Sequence, residues 1–128
     1  MQDCPFCKRL ISGEVLAATD LSAAVLDGFP VSPGHCLIVP RRHVSSLFEM
    51  SDAEQRDLFS LLPEVRRLLG DHYDPAGYNI GMNIGEAAGQ TIGHAHLHVI
   101  PRYIGDVEDP RGGVRQIIAA RARYWELA

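Results

Sequence analysis

An antiparallel α+β domain is the fold class this chain predicts, on three observations. Its 128 residues suit one domain, because two cores would each be too small to hold themselves together. Most of its apolar segments are short and bounded by turn-forming residues, as in strands joined by local connections. A single stretch, Asp52 to about Gly70, repeats apolar residues at helical spacing over several turns. The resulting order, β-β-β-α-β-β-α, fits an antiparallel sheet with its helices set apart from it.

The elements follow in chain order. A short helical stretch runs from the Cys4-Pro5-Phe6-Cys7 segment to Ser12 and is closed by Gly13. Val15–Ala18 and Ala23–Leu26 flank Thr19-Asp20, which can turn, so they read as a hairpin. Two glycines and two prolines make Gly28–Gly34 a loop. His35–Pro40 is a strand whose continuous apolar run implies burial on both faces. Ser51-Asp52-Ala53-Glu54 is a capping box opening the main helix. Leu58, Leu61, Leu62, Val65, Leu68 and Leu69 line one side of it, and Pro63 should kink or break it. Tyr78–Ile84 reads as a strand, Gly85–Thr91 as a small-residue loop, and His94–Arg102 as another strand. Asp106–Gly113 is a loop and Val114–Glu126 a helix. No linker or internal repeat interrupts the chain.

Composition excludes several classes. At 46% apolar and 22% charged, the chain is neither disordered nor collagen-like. No apolar run approaches the ~20 residues of a membrane span. The start, Met1-Gln2-Asp3-Cys4-Pro5, lacks the basic and apolar regions of a signal peptide. A net charge of −4 argues against coating a nucleic-acid backbone. Three cysteines, Cys4, Cys7 and Cys36, are too few and too odd in number for a disulfide framework, which points to a reducing, cytoplasmic setting.

Half of the six histidines fall within five residues, His94-Ala95-His96-Leu97-His98. Strand alternation puts His94, His96 and His98 on one face, ~6.5–7 Å apart, with Ala95, Leu97 and Val99 facing the core. Three imidazoles together suit a nucleophile, a proton carrier or a metal. The loop before them holds Gly85, Gly89 and Gly93 around Gln90 and Thr91. Such a loop lets backbone amides approach an anion.

These residues carry a resemblance. His94 to Ile100 is similar to the His-x-His-x-His-x-x signature of the histidine triad (HIT) superfamily of nucleotide hydrolases and transferases. Pro33–His43 resembles that family's central strand, and Asn83-Ile84-Gly85 through Gly89-Gln90-Thr91 its phosphate loop. The likeness covers roughly residues 4–105. It implies a single HIT domain over residues 1–128, with about five antiparallel strands, one long helix and short terminal helices.

The resemblance also implies a mechanism. His96 is the expected nucleophile, attacking the α-phosphorus of a nucleotide to give a covalent nucleotidyl-histidine that water hydrolyses. A backbone carbonyl would hold its other ring N–H. His98 would bond a phosphate oxygen, and His35 is the additional active-site histidine. Gln90, Gly89 and Thr91 would stabilise phosphate charge. Asp27 would hold the ribose hydroxyls, Asn83 would contact ribose or phosphate, and Phe6, Leu26 and Val25 would flank the base. Each apolar one could equally be core.

Cys4 and Cys7 lack the strand that a redox Cys-x-x-Cys needs before it, so zinc or two free thiols remain. Zinc needs two more ligands. The resemblance supplies His43 and His94, a Cys₂His₂ structural site. Cys36, inside an apolar strand, is expected to be buried and inert.

Among family branches, His98 disfavours the uridylyltransferases, which carry Gln there, and the absence of later cysteines disfavours the DNA-repair branch. Pro101-Arg102 followed by Gly105-Asp106 is similar to the dinucleoside-polyphosphate hydrolases. The implied substrates are therefore dinucleoside polyphosphates, with Arg102 steering distal phosphates and magnesium accompanying them. A nucleoside phosphoramidase is the alternative. The resemblance further implies a homodimer through the main helix and the strand beside the triad; Leu58, Leu61, Leu62 and Val65 offer a stripe for that or could simply be core, and Trp125 would sit near the partner or the base. Two other classes stay open. One is a hydrolase binding a single metal on His94, His96 and His98. The other is a nucleotide-binding module without turnover.

Overall fold

The apolar run after Gly34 becomes β3 (Cys36–Pro40), wholly buried and central in the sheet. The structure is a computed structural model that describes residues 3–127. Met1 and Gln2, part of the segment read above for a signal peptide, and Ala128 lie outside the described residues. Five strands lie in the order β1-β2-β3-β5-β4, and every pairing is antiparallel. They are β1 (Ala17–Ala18), β2 (Ser22–Leu26), β3, β4 (Gly77–Gly81) and β5 (Leu97–Arg102). The hairpin turns where Thr19-Asp20 placed it, with the Thr19 N–H donating to the Ser22 carbonyl at 2.9 Å.

The capping box opens α2 (Asp52–Ser60). Ser51 Oγ accepts the Glu54 N–H at 3.1 Å, and Glu54 Oε1 accepts the Ser51 N–H at 2.9 Å. Arg42 donates to both Glu54 oxygens, at 2.8 and 3.0 Å. Together, Arg42 first, these donors hold the Glu54 carboxyl at about 2. The long helix is bent. α2 ends at Ser60 and α3 (Leu62–Tyr73) begins with Pro63 in its first turn. There the missing N–H costs nothing, because the first amides of a helix have no partner anyway.

Leu58, Leu61, Val65 and Leu69 are buried against Ile38, Leu97 and Val99, and Leu62 packs on the same cluster. Of the two readings of the helix stripe, core is the one its burial supports, with Leu62 only partly buried. A second, smaller cluster joins Cys4, Phe6, Val25, Leu37 and Val39 on the other face of the sheet. It seats α1 (Pro5–Ser12) there.

Several boundaries differ from expectation; the first expected strand, Val15–Ala18, shortens to Ala17–Ala18, and the main helix runs on to Tyr73. The strand expected over 78–84 is β4, Gly77–Gly81. The strand expected from His94 begins at Leu97, because the β3 ladder ends at the Ile38–Leu97 pair. Ahead of it, the Ala95 N–H turns to the Val44 carbonyl at 2.7 Å. The expected helix over 114–126 is instead two 3₁₀ segments, Gly113–Arg121 and Tyr124–Glu126. The first is broken at Ile118 (φ −126°, ψ 85°). Its Val114, Ile117 and Ile118 are exposed, so no packed apolar face supports an α-helix there. No helix of the described residues is long and apolar enough to cross a membrane.

Candidate active site

The start of β5 and the segment before it carry the three histidines on the face of the sheet that α1 covers. Ala95, Leu97 and Val99 point into the core cluster, so the alternate positions face α1. His98 pairs in register with Leu37 on β3 and Gly81 on β4. The His96 and His98 ring centroids are 5.1 Å apart, and the Phe6 ring lies 5.0 Å from that of His96. Phe6 thus braces His96 from α1.

Backbone partners decide which nitrogen of each histidine carries the proton. A peptide N–H only donates and a peptide carbonyl only accepts. His96 Nδ1 lies 2.8 Å from the His94 carbonyl, so Nδ1 is protonated and Nε2 keeps its lone pair. The Val31 N–H donates to His35 Nδ1 at 3.1 Å, so the proton of neutral His35 is on Nε2. That nitrogen is 2.9 Å from His98 Nδ1 and 3.4 Å from Asp27 Oδ2. His98 Nδ1 is therefore an acceptor, and its proton is on Nε2. Asp27 is anchored by its other oxygen, which accepts the Phe29 N–H at 2.8 Å. Burial holds His35 and His98 below the ordinary imidazole value of 6.5. Asp27 opposes the shift at both rings, while His96 and His35 add to it at His98.

His94 faces elsewhere. Its Nε2–H donates to the Pro40 carbonyl at 2.7 Å, and its Nδ1 lone pair points among Cys4, Cys7 and His43. His94 Nδ1 is 3.4 Å from Cys4 Sγ, 3.5 Å from Cys7 Sγ and 3.2 Å from His43 Nδ1. Cys7 Sγ is 3.3 Å from His43 Nδ1. Ligands ~2.0–2.3 Å from a tetrahedral zinc stand about 3.3–3.8 Å apart, so this donor set fits one ion. The local sequence explains the seating. Cys4 caps α1, Pro5 starts it, and Cys7 follows one turn later with its N–H 3.4 Å from Cys4 Sγ.

Asp27, His35 and His98 also bring donor atoms within 4.8 Å of one another. A metal on His35 Nε2 would require an imidazolate, because Nδ1 already accepts the Val31 N–H. This group is a hydrogen-bond chain, not a metal site. The three triad histidines do not converge on one ion either, since His94 Nδ1 and His96 Nδ1 are turned to different partners. The single-metal alternative is corrected on that ground. Magnesium prefers oxygen ligands. Of the two groups with metal-binding potential among the described residues, only Asp27 offers oxygen, and it is engaged. The magnesium expectation does not fit.

The other expected site residues divide. Gln90 is a staple of its loop: its Oε1 accepts the Gly85 N–H at 2.9 Å. Its Nε2 donates to the Ser45 and Ile92 carbonyls at 2.8 and 3.0 Å. Both amide hydrogens of Gln90 are thus used within the protein. Asn83, Gly89 and Thr91 are exposed on or beside that loop, and Gly85 and Gly89 adopt positive φ. Arg102 is not a free cation. It grips Asp106 at 2.7 and 2.8 Å and Asn79 at 2.7 Å. Val25 is fully buried core, whereas Leu26 lines a cleft with Asp27. Trp125 stacks under Arg111, 4.3 Å from its centroid. Cys36 is buried, which pushes its thiol up to about 12. Sequence reasoning missed Pro40 and Val31, which act through backbone atoms and leave no side-chain signal.

Comparisons with known proteins converge. The family model described as HIT domain matches residues 8–105. The bis(5'-nucleosyl)-tetraphosphatase [asymmetrical] of Schizosaccharomyces pombe is 36% identical over 104 residues, 81% of this chain and 57% of that protein. Adenosine 5'-monophosphoramidase hnt1 of the same organism is 38% identical over 103 residues, 77% of this chain and 74% of that protein. The chain thus spans a little over half to three quarters of these relatives. A Zn-bound histidine triad family protein from Mycobacterium smegmatis superposes with a TM-score of 0.74 at 26% identity, covering 99% of each chain.

Proposed function

The chain belongs to the HIT domain family, and from that premise we propose that it hydrolyses the α-phosphate linkage of dinucleoside polyphosphates through a nucleotidyl-His96 intermediate. One observation carries the reading: the His94 carbonyl holds the His96 Nδ1–H at 2.8 Å and so commits Nε2 to attack. The Nε2 lone pair bonds the α-phosphorus as the bridging P–O bond breaks, and the leaving phosphate takes that electron pair. The imidazole becomes cationic while it carries the nucleotidyl group. The same carbonyl then accepts a stronger, charge-assisted bond from Nδ1–H. Water next attacks phosphorus and gives up a proton to solvent, the N–P bond breaks with its electron pair returning to Nε2, and neutral His96 is restored with release of a mononucleotide. The His98 Nε2–H, set by His35, donates to a phosphate oxygen as charge builds there.

A phosphoramidate substrate is the second reading. It is supported by the fuller length match to the phosphoramidase and by the engagement of Arg102 with Asp106. Cys4, Cys7, His43 and His94 would hold a structural zinc, which would tie α1 to the triad segment. We further propose a homodimer acting on these nucleotides in the cytoplasm.

The test is intact-protein mass spectrometry after brief incubation with diadenosine tetraphosphate or an adenosine phosphoramidate. The wild type should gain one AMP transiently, and the faster substrate identifies the class. His96→Ala should form no adduct and lose turnover by several orders of magnitude while remaining folded. Near wild-type turnover in His96→Ala would refute the nucleophile.

A further inference from the structure

Beside the reacting groups lies a cleft of about 370 Å³ that the chemistry above does not use. Arg9, Glu14, Val15, Leu16, Leu26 and Asp27 line it. Two residues connect it to the histidines. Asp27 shares its carboxylate between the cleft and His35. Phe6 braces His96, and Arg9 follows Phe6 by three residues, one turn along α1 on the same side. Asp27 and α1 thus set this cleft beside the histidines.

The walls, Val15, Leu16 and Leu26, suit the faces of a flat ring, and two charges stand among them. Arg9 is held in place by donating to the Leu26 carbonyl. A guanidinium has five N–H donors, so others remain for a ligand. Among the described residues no carboxylate forms a salt bridge with Arg9. Glu14 follows Gly13, which closes α1 in the left-handed conformation (φ 79°). One Glu14 oxygen accepts from Ser12 Oγ at 3.2 Å, and the other is left for a ligand.

We propose that this cleft selects guanine over adenine, with Arg9 and Glu14 as the specificity-determining residues. Guanine presents two acceptors, O6 and N7, on one edge, which match the Arg fork. Its neighbouring edge presents the N1–H and N2–H₂ donors, which match a carboxylate. Adenine keeps the N7 acceptor but reverses the other half of the fork and the carboxylate contact. Its N6–H₂ group faces the guanidinium with donors, and its N1 lone pair faces the carboxylate with an acceptor. The inference rests on the nucleotide-hydrolase reading, which delivers the base by way of a phosphate at His96.

The test is titration calorimetry of the full chain with GMP and with AMP. A good bidentate Arg contact discriminates by about 1–3 kcal/mol, so GMP should bind about 5- to 150-fold more tightly. Arg9→Leu should bring the ratio close to one. Arg9→Lys keeps the charge, loses the fork and should lower the ratio markedly. Glu14→Gln should weaken GMP more than AMP. Circular dichroism confirms that each variant is folded. Equal affinities in the wild type, or a preference unchanged in both Arg9 variants, overturn the proposal and leave the hydrolase reading standing. If the wild type binds neither nucleotide and forms no AMP adduct, both fall.

Discussion

Protonating His98 on Nδ1 removes the acceptor for the His35 Nε2–H, 2.9 Å away, so acid takes the chain from Val31 through His35 to His98 apart. Both imidazoles lie below 6.5 because they are buried, so both are neutral at pH 7. In the pH window between that lowered folded value and 6.5, the unfolded chain binds more protons than the folded one. Stability is thus full above about 6.5 and is lost as pH falls through the folded value. Activity should follow the same sign. A profile of kcat/KM should be level at neutral pH and fall on the acid side below 6.5, with denaturant stability falling over the same interval. An acid-side rise in either would contradict the assigned tautomers. Much of this site could be read in the sequence, because alternation along an extended segment sends His96 and His98 to one face. The direction of each ring could not be read. It depends on carbonyls and amides of Pro40, His94 and Val31, which any residue would supply.

At the scale of elements, two short motifs predict measurable consequences. The Ser51–Glu54 capping box satisfies two orphan amides at the start of α2, so Ser51→Ala should cost about 1 kcal/mol in urea denaturation without changing turnover. A loss near zero would mean that Arg42 and Glu54 hold that end alone. Cys4 and Cys7 span the first turn of α1, and His43 and His94 complete the donor set from two other segments. Metal analysis should find about one zinc per chain, and Cys4→Ser should lower both zinc content and Tm. Protein purified without chelator yet holding no zinc would remove that site. The capping box and Pro63 were legible because their physics is local: a hydroxyl and a carboxylate three residues apart, and an imide that fits only a first turn. The C-terminal segment was not legible. Val114, Ile117 and Ile118 give a helix-like sequence pattern, but a helix of that length needs a packed face, and this chain offers those residues none.

For the whole molecule, the same unpaired apolar residues bear on assembly. The sheet order leaves β1 and β4 at its edges. β1 has two residues, too few to template another chain, whereas β4 has five and exposes Ile80. The 3₁₀ segment Gly113–Arg121 packs beside β4 and adds Val114, Ile117 and Ile118 to that flank. With Leu58, Leu61 and Val65 spent on the core, this flank, not the helix stripe, is where a second copy should sit. Light scattering should give about twice the 14.1 kDa chain mass. A stable pair should bury at least about 1,000 Å², more than one strand edge supplies, so the C-terminal segment has to take part. Ile117 is 87% exposed in the single chain, so Ile117→Lys should leave the fold and its unfolding curve unchanged while shifting the mass toward the monomer. A dimer indifferent to Ile117→Lys would place the contact elsewhere. A wild type that is monomeric at every concentration would leave the exposed flank without a partner of its own kind.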